Sequence, residues 1–265
     1  MTLPAQPISP TALALSSLLV VTAGAVSLAL RLSLERSLAL AATRTIVQLL
    51  AVGAVLSWVF RLDDPRLLGL VMLLMIGAAS FAAVGRASRT FKGALGGAFV
   101  TLVLTGSLTT FTVTGLIIGV DPWYRAQYVI PLLGMVLGNA LTGISLCLDS
   151  FLESLDDGAD EIEAALALGA HRWEAARGAF AKAVRRGMIP ILNSMMVVGI
   201  VSLPGMMTGQ ILQGGDPSEA VKYQIVVMFM IAAATSLGCM LMAAIVYRRM
   251  FNERHQLERA VLRRE

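Results

Sequence analysis

The chain has 265 residues, of which 57% are hydrophobic and only 14% charged, against roughly 25% charged in a soluble domain. That composition excludes a soluble globular protein, and its apolar runs near 20 residues match a helix crossing about 30 Å of hydrocarbon. A closed barrel is excluded because the alternating segments of about 10 residues it requires are missing. The net charge of +4 is spread over loops, so no nucleic-acid partner is expected.

In chain order, Met1–Pro10 has neither a basic n-region nor a small-residue cleavage site, so the first span is expected to insert and stay. Seven spans are expected, at about 11–30, 38–60, 67–84, 94–119, 127–148, 189–213 and 223–247. The fold class is therefore all-α: a polytopic membrane protein forming a single transmembrane domain over 1–265. Of the Lys and Arg residues, sixteen fall on one set of connecting segments and four on the other, with Arg44 inside a span. The positive-inside rule then predicts an N-out, C-in chain. It places the long 149–188 segment and the 248–265 tail in the cytoplasm, with the tail helical and solvated.

Span two carries Arg44 and, one turn later on the same face, Gln48. An arginine at the bilayer centre costs about 2.5–3.5 kcal/mol on insertion scales. Arg44 lies about 9 Å of helix rise from the cytoplasmic start of the span, within snorkelling reach. It reads either as an interfacial anchor or as a polar contact on a pathway. Span four is rich in Gly and Thr, which suits close helix packing. Span five opens with Pro131 and carries the GxxxG of Gly134 and Gly138, followed by Asn139. That amide needs partners in lipid and reads as interhelical glue or as a substrate contact.

The charged segment opens with an acidic cluster from Asp149 to Glu163 around Gly158, read as favouring a helix N-terminus. A helix over Glu161–Leu168 should stop at Gly169. A second should run from His171 to Gly187 with Trp173, Ala176, Phe180, Val184 and Gly187 on one apolar stripe. Span six follows, with Pro190 in its first turn and Asn193 close behind. At Pro204 and Gly205 that span must bend or break, with Gly209 a second soft point. Broken helices at membrane depth mark transport sites. Met206, Met207 and Gln210 lie at the break, with Met195 and Met196 near it. A methionine cluster would suit a soft metal such as Cu(I) better than iron, although methionine also fills gaps.

No GxxxxGK[ST] is present, so this chain has no P-loop of its own. The two histidines form no HExxH, and Cys147 and Cys239 form no CxxC. With no catalytic constellation, the chain is not expected to be an enzyme. No Asp or Glu lies well inside an expected span. That disfavours the alternative of a stand-alone carrier driven by an ion gradient.

The run Glu163-Ala164-Ala165 with Gly169 resembles the EAA motif of ABC importer permeases, whose coupling helix fits a cleft on an ATPase subunit. The Ile-Pro pair that follows in importers comes later here, at Ile189-Pro190. The chain resembles more closely the FetB-type permeases, which include plant aluminium-tolerance relatives. That resemblance rests on Pro131 to Met135 with Gly138-Asn139, Glu163 to Gly169, Pro190 with Asn193, Leu203 to Leu212, and Tyr223-Gln224-Ile225, and Arg44 with Gln48 also fits. It implies the membrane subunit of an ABC transporter in a bacterial cytoplasmic membrane, exporting iron or another metal ion. It also implies a homodimer and a separate FetA-type ATPase that holds ATP and Mg²⁺, with no cofactor on this chain. Coupling would fall to Glu163, Ala164, Ala165 and Gly169. The pathway would fall to Arg44, Gln48, Asn139, Asn193, Pro204, Gly205, Met206, Met207 and Gln210.

Overall fold

The computed structural model describes residues 9–62, 64–252, 256–258 and 262–264. Nine helices follow one another among them: α1 Pro10–Ala29, α2 Glu35–Leu62, α3 Pro65–Val84, α4 Ala94–Phe111, α5 Ala126–Asp157, α6 Ala159–Ala167, α7 Arg172–Val197, α8 Gly205–Leu212 and α9 Pro217–Met250. A π-helical turn, Thr112–Ile117, continues α4. The chain is an all-α membrane protein, as its composition requires. Six helices (α1, α2, α3, α4 with its π turn, α5 and α9) have the length and apolarity to cross a bilayer. The expected span at 189–213 is divided between the end of α7 and α8.

Helix α5 is the central post. Its 32 residues extend about 48 Å, well beyond a hydrocarbon core of about 30 Å. The expected span ended at 148, but the helix continues through the acidic residues to Asp157. Only Asp160 and Glu161 therefore occupy the first turn of a helix, α6. Four acids instead sit at the C-terminal end of α5, where the macrodipole opposes them. Cations compensate: Arg89 pairs with Asp156 at 3.5 Å and Asp157 at 3.2 Å, and Arg186 pairs with Glu153 at 2.9 Å. Asp149 Oδ1 accepts from the Ser88 backbone N–H at 3.0 Å. The acidic cluster thus ties the 85–93 connection and α7 to α5.

Small residues let α5, α7 and α9 cross closely. A Cβ on Gly143 would meet Thr235 Cγ2 at 2.5 Å and the Gly187 carbonyl oxygen at 2.8 Å. A Cβ on Gly187 would meet the Gly143 carbonyl oxygen at 2.6 Å and Cys239 Sγ at 2.7 Å. The GxxxG does not make this contact. Gly138 would find open space and Gly134 only the tip of Met75. The Gly and Thr residues of α4 do serve packing. Gly106 fits against Leu133, and Thr105 and Thr109 return their hydroxyl hydrogens to Thr101 and Thr105 carbonyls at 2.8 and 2.7 Å.

Helices α1 and α2 pair as a hairpin, and only the end of α2, at Leu56, Val59 and Phe60, reaches the main core. The tail departs from the helical expectation. Leu262–Arg264 form a strand, β2, antiparallel to β1, Arg89–Phe91. His255 lies outside the described residues.

Replacing Gly143 or Gly187 by leucine should push α5 and α7 apart and lower the thermal midpoint of the purified protein in detergent. The expected cost exceeds the 1–3 kcal/mol usual for overpacking, because the obstacle includes backbone oxygen. Gly138→Leu should be close to neutral. Equal effects at Gly138 and Gly143 would refute the assignment of the close crossing.

Candidate functional site

Two features lie at opposite ends of α7. At its N-terminus, α6 stops in a tight reversal. Gly169 has φ +94°, the left-handed conformation that glycine adopts without a Cβ penalty. Its N–H donates to Leu166 O and that of Ala170 to Ala165 O, both at 3.0 Å, which is the Schellman arrangement. Helix α7 then starts on a reciprocal cap. Glu174 accepts from the His171 N–H at 2.8 Å, and His171 Nδ1 accepts from the Trp173 N–H at 3.3 Å. The expected Gly169 stop and the two-helix form are both present. The turn presents Leu168, 90% exposed, with Glu163, Ala164 and Gly169 also exposed and Ala165 partly covered. Behind it, Trp173 meets Phe180 and Tyr247 edge-on at 5.2 and 5.5 Å, and Arg172 Nη1 donates to the Asn252 carbonyl at 3.2 Å. The sequence motif drew attention to Glu163 and Gly169; it did not single out Leu168.

The amphipathic helix does not end at Gly187. It runs on through Pro190 to Val197 as one helix of 26 residues, about 39 Å long. Pro190 is therefore interior rather than in a first turn. Proline lacks the N–H an interior position would donate, and spanning helices tolerate it where neighbours cover the freed carbonyl.

The break comes at Val198, earlier than Pro204. Gly199, at φ +84°, turns the chain, and the N–H groups of Ile200, Val201 and Ser202 converge on the Val197 carbonyl at 2.9–3.3 Å. The Gly199 N–H returns to Ser202 O at 2.9 Å. Pro204 then caps α8 and Gly205 is its first residue. Gly209 lies inside α8 and bends nothing. Glycine's positive φ outranks proline here because Pro204 suits a helix start as readily as a stop.

Two cavities flank this break. The larger, about 510 Å³, is lined by Met195, Leu203, Met207, Gln224 and Met228 among others. The smaller, about 290 Å³, touches Met135, Asn139, Pro204, Gly205, Met206 and again Gln224. Gln224 is only 7% exposed, and its Oε1 has no hydrogen-bond partner. Asn139 Nδ2 donates to the Met135 carbonyl at 2.9 Å. Gln210 lines a third hollow with Gln213, Asp216 and Tyr223, and its Oε1 is likewise buried and unpaired. The expected pathway residues thus divide. Asn139, Pro204, Gly205, Met206 and Met207 gather at the paired cavities, and Gln210 lies beside the third. Arg44, Gln48 and Asn193 are exposed and line none of the three. Met135 and Met228 were missed as cavity residues because one methionine on an apolar helix resembles any other.

A family described as Uncharacterised protein family (UPF0014) matches residues 10–251. The chain belongs to this family. It is 39% identical over 226 residues to the UPF0014 membrane protein slr1647 of Synechocystis, covering 85% of this chain and 87% of that one. It is 34% identical over 245 residues to the protein of Escherichia coli named Probable iron export permease protein FetB, covering 92% and 93%. It is 31% identical over 227 residues to Protein ALUMINUM SENSITIVE 3 of Arabidopsis thaliana, covering 86% and 82%. No solved structure matches the chain. This UPF0014 chain is accordingly a multi-pass membrane protein of a permease family, consistent with transport rather than enzymatic chemistry.

In a UPF0014 chain built this way, Gln224→Leu removes a buried carbonyl oxygen that lacks a donor, a defect worth about 1–3 kcal/mol. The variant should melt at or above the wild-type temperature in detergent. A fall of several degrees would show that Oε1 has a partner and is not aimed into the cavities.

Proposed function

We propose that this chain is the membrane subunit of an ABC transporter in a bacterial cytoplasmic membrane, working as a homodimer and exporting iron or another metal ion. Its energy comes from a separate ATPase subunit that binds ATP and Mg²⁺. The observation that carries this reading is the bare turn at Leu168-Gly169 joined through an uninterrupted α7 to the broken segment at Val198. Leu168, 90% exposed at the tip of this polar helix–turn–helix, is the apolar side chain such a turn would offer to a recess on a partner. An unbroken helix about 39 Å long can carry a push from one end to the other.

The mechanism follows from that geometry. Two ATPase chains grip the α6–α7 turns of the two permease copies. ATP-driven closure shifts the turns, and each α7 moves as a rod. The Val198–Ser202 turn, held by bonds to the Val197 carbonyl, moves with it and opens or closes the cavities against α8 and α9. The positive-inside pattern puts the turn in the cytoplasm. An N-out, C-in chain then needs the divided 189–213 segment to make one crossing.

Affinity purification of the chain from native membranes should bring down an ATP-binding subunit. Leu168→Asp, which leaves the Gly169 turn intact, should reduce its recovery at least tenfold while the permease still inserts; Gly169→Trp should do the same by straining the turn. Undiminished recovery with both variants would remove this turn from the contact, and the absence of any ATPase from an intact membrane complex would overturn the reading.

A second expectation concerns the rod itself. Lys182→Pro puts a second proline in α7 between turn and cavity. It should uncouple ATP hydrolysis from transport, preserving ATPase binding and lowering transport per ATP hydrolysed in reconstituted vesicles. An unchanged ratio would exclude α7 as the lever.

A further inference from the structure

The two cavities beside the break share a wall and a chemistry. Met195, Met207 and Met228 face the larger, and Met135, Met206 and Met228 the smaller. Consecutive Met206 and Met207 serve different cavities because neighbouring positions on a helix point about 100° apart. Gln224 lies between the two, 93% buried by its 7% exposure, with Oε1 unpaired. No Asp, Glu, His, Cys, Lys or Arg is among the described residues that line either cavity. Nor, among the described residues, is any group of three or more His, Cys, Asp or Glu placed to hold a metal ion.

Neutral donors discriminate between cations. The cost of removing an ion from water rises with the square of its charge, and a buried charge without a counter-charge is expensive. Hard Fe³⁺, Al³⁺ and Mg²⁺ prefer carboxylate and water oxygens, whereas thioethers select soft ions such as Cu(I). An amide oxygen without a donor is an acceptor left open for a cation or a hydrogen-bond donor. Gap-filling accounts for methionines in a core but not for a carboxamide oxygen buried among them without a partner.

We propose that Gln224 and the methionines around it form a neutral-donor binding site for a soft monovalent cation of the Cu(I) or Ag(I) class. The thioethers of Met135, Met206 and Met228, which line the smaller cavity together with Gln224, serve as the principal ligands. The inference rests on the permease reading only in treating the bound ion as cargo, since binding is measured without transport. It departs from the iron in the name of the E. coli relative.

The test uses the full chain in lipid nanodiscs under reducing conditions. Cu(I) is titrated against a chromogenic Cu(I) chelator, Ag(I) is measured by calorimetry, and Fe(II) is run in parallel. The wild type should take one Cu(I) per chain with sulfur-dominated X-ray absorption, and bind Fe(II) at least a hundredfold more weakly. Met135→Leu, Met206→Leu and Met228→Leu combined should weaken Cu(I) binding at least tenfold, and Gln224→Leu severalfold. Met240→Leu, on the exposed side of α9, should leave it unchanged. Should the triple variant fail to fold by circular dichroism and gel filtration, Met206→Leu alone, at a partly exposed residue, carries the same expectation on a smaller scale. A folded wild type that takes neither Cu(I) nor Ag(I), binding that survives the methionine substitutions in folded protein, or tighter Fe(II) binding at these residues would each overturn the proposal. Co-purification of an ATPase without Cu(I) binding would sink this inference and spare the permease reading. Cu(I) binding without an ATPase would do the reverse.

Discussion

The glycine contact between α5 and α7 is the constraint on which the rest of the structure depends. Lipid tails are as apolar as leucine, so helices in a bilayer gain little from hiding apolar surface and associate through close packing instead. Gly143 and Gly187 bring backbone against backbone where any Cβ would clash with a carbonyl oxygen. Cys147, Cys239 and Thr235 complete the contact without bulk. Every position on α7 relative to α5 and α9 follows from that crossing.

From the crossing, α7 runs in two directions and links two kinds of surface. Towards its N-terminus it leaves the apolar layer, is pinned to α5 by Arg186 and Glu153, and ends at the reversal on Gly169. Towards its C-terminus it carries Pro190 without stopping and ends at Gly199, where the chain turns and the cavities begin. In the proposed mechanism α7 acts as a lever, and its fulcrum is the pair of glycines near its middle. A continuous helix of this kind can transmit displacement, whereas a flexible connection would dissipate it.

The cavities owe their character to the same break. Ending α7 at Val197 and restarting at Gly205 leaves room that continuous helices would fill. Met206 and Met207 enter on the first turn of α8, and Met228 and Gln224 come from α9. Flexible thioether side chains can follow a moving wall, and neutral donors avoid trapping a charge permanently in a medium of low dielectric.

The amino-acid sequence by itself determined the solvent and the material of this fold. Charge depletion and apolar runs of bilayer length leave only helices, since lipid satisfies no backbone group. It also determined the reversal at Gly169, because left-handed backbone is a local property that glycine announces. The position of the helix break, the continuity of α7 through Pro190 and the extension of α5 to Asp157 were decided by tertiary structure. A proline can start, kink or sit inside a helix according to what covers its neighbours. Acidic residues can end a helix unfavourably when Arg89 and Arg186 come from elsewhere to meet them. The residues expected to line a pathway show the same division. Met206, Met207 and Asn139 were legible beside a proline-glycine break or as an amide within an apolar span. Met135 and Met228 became cavity residues only when α5 and α9 were brought to the break, and the separation of Arg44, Gln48 and Asn193 from the cavities was visible only in three dimensions. Which side chains face a common space depends on helix rotation and crossing, and those are set by contacts among residues far apart in the chain.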